Sequence, residues 1–343
     1  MKAFVRAIDY ALPEKVLSTR QLAEEFPDWS VEKIDEKTGI RDRHIARPGE
    51  CASDLGFTAA EALFQSRGCP RESIDFLLFC TQSPDHFLPT TACLLQERLG
   101  LTRATGALDF NLGCSGYIYG LGLAQGLIET GQASNVLLIT AETYSKFIHP
   151  KDRSVRTIFG DAAAATWIGS ASSETPWLGP YVYGTDGRGG PNLMVPAGGL
   201  RQPHSPETAR ESADASGNIR AADNLYMNGP EVFAFTMQVV PGLVRELMTK
   251  ASLSWDDVDL VIFHQANRHM LDHLRKSIHI PDEKFYVSFA HCGNTVSSTI
   301  PIALLDAQRE GRVHDGSRVM LVGFGVGYSW GGTIVRWRNQ TAE

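Results

Sequence analysis

Several features that would place a chain outside the ordinary globular proteins are scarce or missing here. No apolar run approaches the length of a bilayer-spanning helix, and the start, MKAFVRAIDYALPEKV, carries charges where a secretory signal needs its apolar stretch. A cytoplasmic protein with no membrane contact is expected. Basic residues are in the minority: 32 Lys and Arg against 39 Asp and Glu leave a formal net charge of -7, and no long Lys/Arg run is present to track phosphates. Nucleic acid is not an expected partner, although a local basic patch for a small acidic protein remains compatible with that balance. Cysteine is sparse, with 6 in 343 residues and no CxxC pair, so neither a disulfide framework nor a zinc ribbon is indicated. Hydrophobic residues at 43% and charged residues at 21% exclude disorder, collagen-like structure and a coiled coil.

What is present is an alternation. Short runs rich in Val, Ile, Leu and Phe read as buried strands at 74–80, 136–140, 258–263 and 319–323. Between them lie helical patterns. The stretch 54–66, DLGFTAAEALFQS, gathers Leu55, Phe57, Ala60, Leu63 and Phe64 mostly on one face and ends at a Gly-Cys-Pro stop. Strands alternating with helices indicate an α/β protein whose sheets are covered on both sides.

The two halves of the chain echo one another. ESIDFLLFCTQ in the first resembles DDVDLVIFHQA in the second, and CSGYIYGLGLAQGLIETGQ resembles NTVSSTIPIALLDAQREGR. A hydrophobic strand follows each, VLLIT and VMLVG. The overlay sets Cys80 opposite His264 and Cys114 opposite Asn294, all where strands end or helices begin, which is where α/β folds gather their sites. Two duplicated halves, 1–172 and 173–343, are expected. Within the second, 197–223 is rich in Gly, Pro, Ser, Ala and charge without a sustained period, and reads as a loop or excursion, of a length that usually forms a lid or a disordered flap.

Cys114 lies in DFNLGCSGYIYGLGLAQGL, a strand-like segment, then Gly-Cys-Ser-Gly, then an apolar helix. A sulfur at a helix N-terminus meets unpaired backbone N–H groups, which favour thiolate over thiol. His264 closes the buried strand VDLVIFHQAN, and Asn294 sits on a glycine turn leading into a helix of small side chains, SFAHCGNTVSSTIPIALL. Singly, each fits an inert buried cysteine, a satisfied histidine or a cap. His264 with His291 and Cys292 does not make a metal site, because adjacent ligands rarely fit one tetrahedron and no second motif supplies the rest.

Together the motifs are specific. TGIRDRHIA from Thr38, GCSG around Cys114, RTIFGDAAAA from Arg156, HQAN at His264, GNT ending on Thr295 and GFGVGYSWGG from Gly323 stand in the order of one family. The chain resembles, almost from end to end, the beta-ketoacyl-(acyl-carrier-protein) synthase III branch of the thiolase-fold condensing enzymes. The resemblance implies an αβαβα layered fold and an acyltransferase of fatty-acid biosynthesis. Its reaction would be decarboxylative Claisen condensation of an acyl group, taken from coenzyme A onto Cys114, with a malonyl thioester on acyl-carrier protein. His264 and Asn294 would stabilise the enolate, the backbone N–H groups of Cys114 and Val326 would form the oxyanion hole, and Phe324 would shield the sulfur from water. No metal or resident cofactor is implied, coenzyme A arriving as the donor thioester. A homodimer is implied, in which the turn holding Phe87 and Leu88 reaches the neighbouring subunit's acyl channel. Carrier-protein docking would fall on Arg268, Arg275 and Lys276.

The departures are as informative. Where the family stacks adenine between a Trp and an Arg, Lys33 takes the Trp position and Trp29 stands four residues earlier; Lys37 and Arg153 fall where cationic contacts to the nucleotide are usual. His269 replaces a family Arg, with Arg268 beside it. These changes point to a specialised rather than a housekeeping synthase. Gln82 occupies the place of the Glu base of hydroxymethylglutaryl-CoA synthases, and the turn 323–332 lacks the second Cys of degradative thiolases. The rival readings are an acyltransferase handing the acyl group to an alcohol or amine and, from another class, a non-catalytic partner subunit.

Overall fold

The computed structural model describes residues 1–338; positions 339–343, the last of the expected second half, lie outside the described residues. Ten strands form two five-stranded sheets. The first takes β1 (Lys2–Ala11), β2 (Phe76–Cys80), β3 (Gly106–Phe110), β4 (Asn135–Glu142) and β5 (Ala162–Ala171) in the order β1-β5-β4-β2-β3. The second takes β6 (Leu178–Thr185), β7 (Leu260–Phe263), β8 (Phe285–Tyr286), β9 (Arg318–Gly325) and β10 (Ser329–Arg336) in the order β6-β10-β9-β7-β8. Adding five to each label of the first sheet reproduces the second. The strands β2, β3 and β4 run parallel, as do β7, β8 and β9, while β1 and β5, and β6 and β10, run antiparallel to their neighbours.

The sequence accounts for these elements. NVLLITAE in β4 is covered from both faces, as expected of the central strand of a sheet with helices on each side, and seven of its residues are buried. Helix α2 (Ala52–Arg67), which follows α1 (Val31–Thr38), buries Leu55, Ala59, Ala60, Leu63 and Phe64 against the first sheet. It stops where the Gly-Cys-Pro signal says, with Gly68 in the left-handed region at φ 62°. Two further helices, α3 (Gly116–Glu129) and α6 (Thr299–Arg309), lie between the sheets and touch both. On the far side of the second sheet α4 (Gly229–Ala251) packs against β6 and β10 and against α5 (Arg268–Ile278). The layers are thus α2, sheet, α3 with α6, sheet, α4 with α5, the αβαβα arrangement.

The segment 197–223 is folded rather than loose. Ser212–Ala213 pairs antiparallel with Ile219–Arg220, and Arg220 forks between the buried Asp152, at 2.7 Å, and Asp214. Asp214 also accepts from the N–H groups of Ser216 (2.8 Å) and Asn218 (3.0 Å). The Ile219 N–H reaches the Lys151 carbonyl, Leu225 N–H the Phe147 carbonyl, and the Arg153 side chain the Ser216 carbonyl. A polar composition without periodicity gives no hint of this order, because buried ion pairs and backbone bonds to 147–153 hold it in place of an apolar face.

Candidate active site

Cys114 sits in the turn between β3 and α3 and is 5% exposed. The turn is tightly drawn in: a Cβ on Gly116 would stand 2.3 Å from the Cys80 sulfur, and one on Gly325 would stand 2.7 Å from the Cys114 sulfur. Only glycine lets β9 pass that close to the thiol. The electrostatics differ from the thiolate expected at a helix start. Burial pushes the Cys114 thiol up to about 12; the N–H groups of Val326 and of Cys114 itself pull the other way, and Glu142 adds to the rise. The helix begins two residues further on, at Gly116, and desolvation outweighs its field. The enzyme therefore holds a thiol whose sulfur faces both backbone N–H groups.

His264 follows β7 and Asn294 precedes α6. His264 is 2% exposed, and burial lowers its pKa to about 3, so the ring is neutral. Its Nδ1 lies 2.7 Å from Thr299 Oγ1, and its Nε2 lies 3.5 Å from Asn294 Nδ2. Asn294 Oδ1 accepts from the Val296 N–H at 2.9 Å, which turns the amide NH2 toward His264. Val296 does this from φ 56°, a left-handed conformation that a β-branched residue seldom adopts. Burial favours the neutral form of both groups, so His264 is suited to donating a hydrogen bond rather than to acting as a base toward Cys114.

The three residues line one cavity of about 330 Å³. Ile158, Phe159, Leu193, Met227, Val232 and Phe233 give it apolar walls, and Phe324, 1% exposed, sets its ring edge-on to His264 at 5.7 Å. A second cavity, of about 350 Å³, shares Ile158, Asn267 and His269 with the first and is lined by Trp29 and Lys37 as well. Three cations surround the Trp29 indole, Lys37 at 5.0 Å, Lys33 at 5.4 Å and Arg153 at 5.6 Å from its centre. The expected docking cations are spread along α5: Arg268 faces Asp35 at 3.7 Å at one end, Arg275 pairs with Asp282 at 3.2 Å at the other, and Lys276 is exposed. Phe87 and Leu88 line neither cavity in the single chain; they are 79% and 82% exposed.

Sequence reasoning passed over two residues here. Glu142, wholly buried at the end of β4, accepts from Gln82 N–H (3.0 Å), Ser83 Oγ (3.1 Å) and Ser297 Oγ (3.1 Å), and burial pushes its pKa up to about 8. Its signal was an acidic residue closing an otherwise apolar strand. Thr299 was one of a run of small hydroxyl residues with nothing to single it out. Among the described residues no group of three or more His, Cys, Asp or Glu could hold a metal ion, and no helix is long and apolar enough to cross a membrane.

The family model described as 3-oxoacyl-[acyl-carrier-protein (ACP)] synthase III matches residues 108–187, and that of its C-terminal part matches residues 248–337. The chain is 38% identical over 326 residues to the beta-ketoacyl-[acyl-carrier-protein] synthase III of Caldanaerobacter subterraneus subsp. tengcongensis, covering 95% of both chains. It is 39% identical over 333 residues to that of Symbiobacterium thermophilum, covering 97% of both. A 2.1 Å crystal structure of a 3-oxoacyl-(acyl-carrier-protein) synthase III superposes with a TM-score of 0.97 at 53% identity, covering 98% of this chain and 100% of that one.

Proposed function

The chain belongs to the 3-oxoacyl-[acyl-carrier-protein] synthase III family, and we propose that Cys114, His264 and Asn294 carry the two steps of its reaction. The enzyme is an acyltransferase of the thiolase fold that condenses an acyl group from acyl-CoA with malonyl-acyl-carrier protein. The observation that supports these roles is the convergence of a thiol, a neutral imidazole and a fixed amide on one apolar cavity.

In the first step the Cys114 sulfur attacks the thioester carbonyl, the carbon–sulfur bond to coenzyme A breaks, and the thiol proton leaves with coenzyme A. The N–H groups of Cys114 and Val326 receive the negative charge that develops on the carbonyl oxygen. In the second step the malonyl carbon–carboxylate bond breaks and its electron pair moves into the thioester carbonyl. His264 and Asn294 donate to the resulting enolate oxygen, and Phe324 keeps water from the sulfur. The enolate carbon attacks acyl-Cys114, and the released thiolate takes up one proton from solvent once the product has left. The low-dielectric cavity strengthens each of these hydrogen bonds.

Coenzyme A fits the second cavity, with adenine against Trp29 and phosphates toward Lys37 and Arg153. Trp29, in the bend just before α1 and four residues ahead of the family position, meets Arg153 from there. We assign carrier-protein docking to Arg268, Arg275 and Lys276. A homodimer is supported by the free edge of β3, which carries the 45% exposed Leu108. Asp109 on the same strand accepts from the Thr91 and Ala92 N–H groups at 2.6 and 2.7 Å, holding the Phe87–Leu88 turn beside that edge. Pairing of two β3 edges would cover all three side chains and bring Leu88 to the partner's acyl channel. Intact-protein mass spectrometry after a panel of acyl-CoAs, followed by carbon dioxide release from carboxyl-labelled malonyl thioester, tests the whole reading. It fails if no adduct forms on Cys114. An adduct without carbon dioxide would mean acyl transfer to another acceptor.

A further inference from the structure

We propose that Thr299 decides which nitrogen of His264 carries the proton, and that its hydroxyl turns from the Val296 carbonyl to His264 Nδ1 before the malonyl thioester reacts. The inference rests on the condensation role given to His264 above.

Thr299 is the first residue of α6 and is 2% exposed. Its Oγ1 stands 2.7 Å from His264 Nδ1 and 3.0 Å from the Val296 carbonyl oxygen. One hydroxyl has one proton, so it serves one of these neighbours at a time. When it donates to Val296, its lone pair accepts from Nδ1–H. His264 then presents a bare lone pair at Nε2, with the Asn294 N–H directed at it across 3.5 Å. That arrangement is self-satisfied and repels a carbonyl oxygen. When the hydroxyl donates to Nδ1 instead, the single proton of the neutral ring must sit on Nε2. Two N–H groups, one from His264 and one from Asn294, then face the cavity together, and an oxygen between them can accept from both.

The nearby Val296 N–H cannot replace the hydroxyl, because Asn294 Oδ1 already takes it at 2.9 Å. The change needs rotation about the Thr299 Cβ–Oγ1 bond and exchange of the ring proton with water entering the cavity, one proton arriving at Nε2 as one leaves Nδ1; no heavy atom of the protein has to move. Thr299 is thus a positioning residue, acting on the substrate through His264.

The test uses the full-length enzyme with ¹⁵N-labelled histidine, the His264 signals being identified by their loss in His264→Ala. With a malonyl thioester analogue that cannot decarboxylate, acylated wild type should show its proton on Nε2. In Thr299→Val, which keeps the shape and removes the hydroxyl, the proton should stay on Nδ1, donated to the Val296 carbonyl. Condensation should fall by about tenfold or more, since a donor to the enolate is lost, while acylation of Cys114 falls by much less. Thr299→Ser should restore both the Nε2 signal and the rate, and Thr299→Ala repeats the measurement without a methyl to crowd the ring. A wild-type complex protonated on Nδ1 would overturn the proposal, as would equal loss of both half-reactions in Thr299→Val and Thr299→Ala. If wild type is acylated yet releases no carbon dioxide, the condensation reading fails instead, and the nitrogen spectra still report whether Thr299 sets the tautomer.

Discussion

Two turns occupy equivalent places in the duplicated halves, the one that leads into α3 at Cys114 and the one that leads into α6 at Asn294. Their surroundings are opposite. The first presents a single reactive atom beside glycines, the hydroxyls of its Ser115 and of Ser329 being paired with each other, and among the described residues that atom is met by backbone N–H groups. The second is crowded with buried hydroxyls and amides: Ser298 meets Thr140 at 2.9 Å, Ser297 meets Glu142, and Thr299 meets His264. A nucleophile is made here by stripping a sulfur of side-chain partners and leaving it room to swing into an acyl carbonyl. Hydrogen-bond donors are made by occupying the far side of each group, Asn294 Oδ1 by the Val296 N–H and His264 Nδ1 by Thr299 Oγ1, so that the Asn294 amide nitrogen and His264 Nε2 are left facing the cavity.

The comparison predicts a sharp division of labour. Cys114→Ala should abolish the acyl-enzyme with the fold intact, and an undiminished adduct in that variant would end the contrast at once. His264→Ala and Asn294→Ala should cost condensation about a hundred- to a thousandfold, the usual worth of one preorganised donor, and cost acylation far less. Rapid-quench measurement of each half-reaction separates them. Equal, mild losses in both would mean that the two turns do not divide the work.

A gentler way to break the first turn is to give it bulk. Gly116→Ala places a methyl 2.3 Å from the Cys80 sulfur, and Cys80, 0% exposed, has nowhere to retreat. Overpacking of this kind costs roughly 1 to 3 kcal/mol, and shifting the Cys114 turn should slow acylation by about tenfold, the response of an attack geometry to a small misplacement. An unfolding midpoint and an acylation rate both within error of wild type would show that the turn is softer than its packing indicates. A change of the opposite kind in the second turn, Ser298→Ala, removes a hydroxyl and creates no clash, so it should leave acylation alone.

These two turns also mark how far the residues could be read without the structure. The order of strands and helices was legible because buried strands and the Gly68 stop are local signals, and Cys114, His264 and Asn294 were legible because each sits in a short motif at the end of an element. The charge state of Cys114 was not, since it depends on how deeply β9 buries the sulfur, and β9 is two hundred residues away along the chain. Thr299 and Glu142 were missed for the same reason: their partners, His264 on one hand and Gln82, Ser83 and Ser297 on the other, come together only in three dimensions. The flap at 197–223 was misread as loose because its order comes from Arg220 and Asp152, which lie 68 positions apart.

The smallest expected effect on turnover, and the sharpest test of how the turns are joined, is at Glu142. Its carboxyl bonds to Ser297 beside the second turn and to Gln82 and Ser83 of the first half, and its field raises the pKa of both Cys80 and Cys114. Burial lifts its own pKa from 4.5 to about 8. A carboxyl raised in the folded state stays protonated there while the unfolded chain gives up its proton. The stability it contributes is therefore complete below pH 4.5, erodes as pH rises from there, and is gone above about pH 8. The slope cannot exceed about 1.4 kcal/mol per pH unit for one group. Glu142→Gln keeps an amide in the same place and removes that slope. The variant should be somewhat less stable than wild type at pH 5, because the amide cannot match every bond of the acid. It should gain on wild type by about 2 to 3 kcal/mol between pH 5 and pH 8. Urea midpoints at pH 5, 6.5 and 8, at one fixed protein concentration, measure the gain directly. A difference between variant and wild type that stays constant across the three would mean that Glu142 is ionised throughout, and that the two turns are joined by a carboxylate rather than by a shared proton.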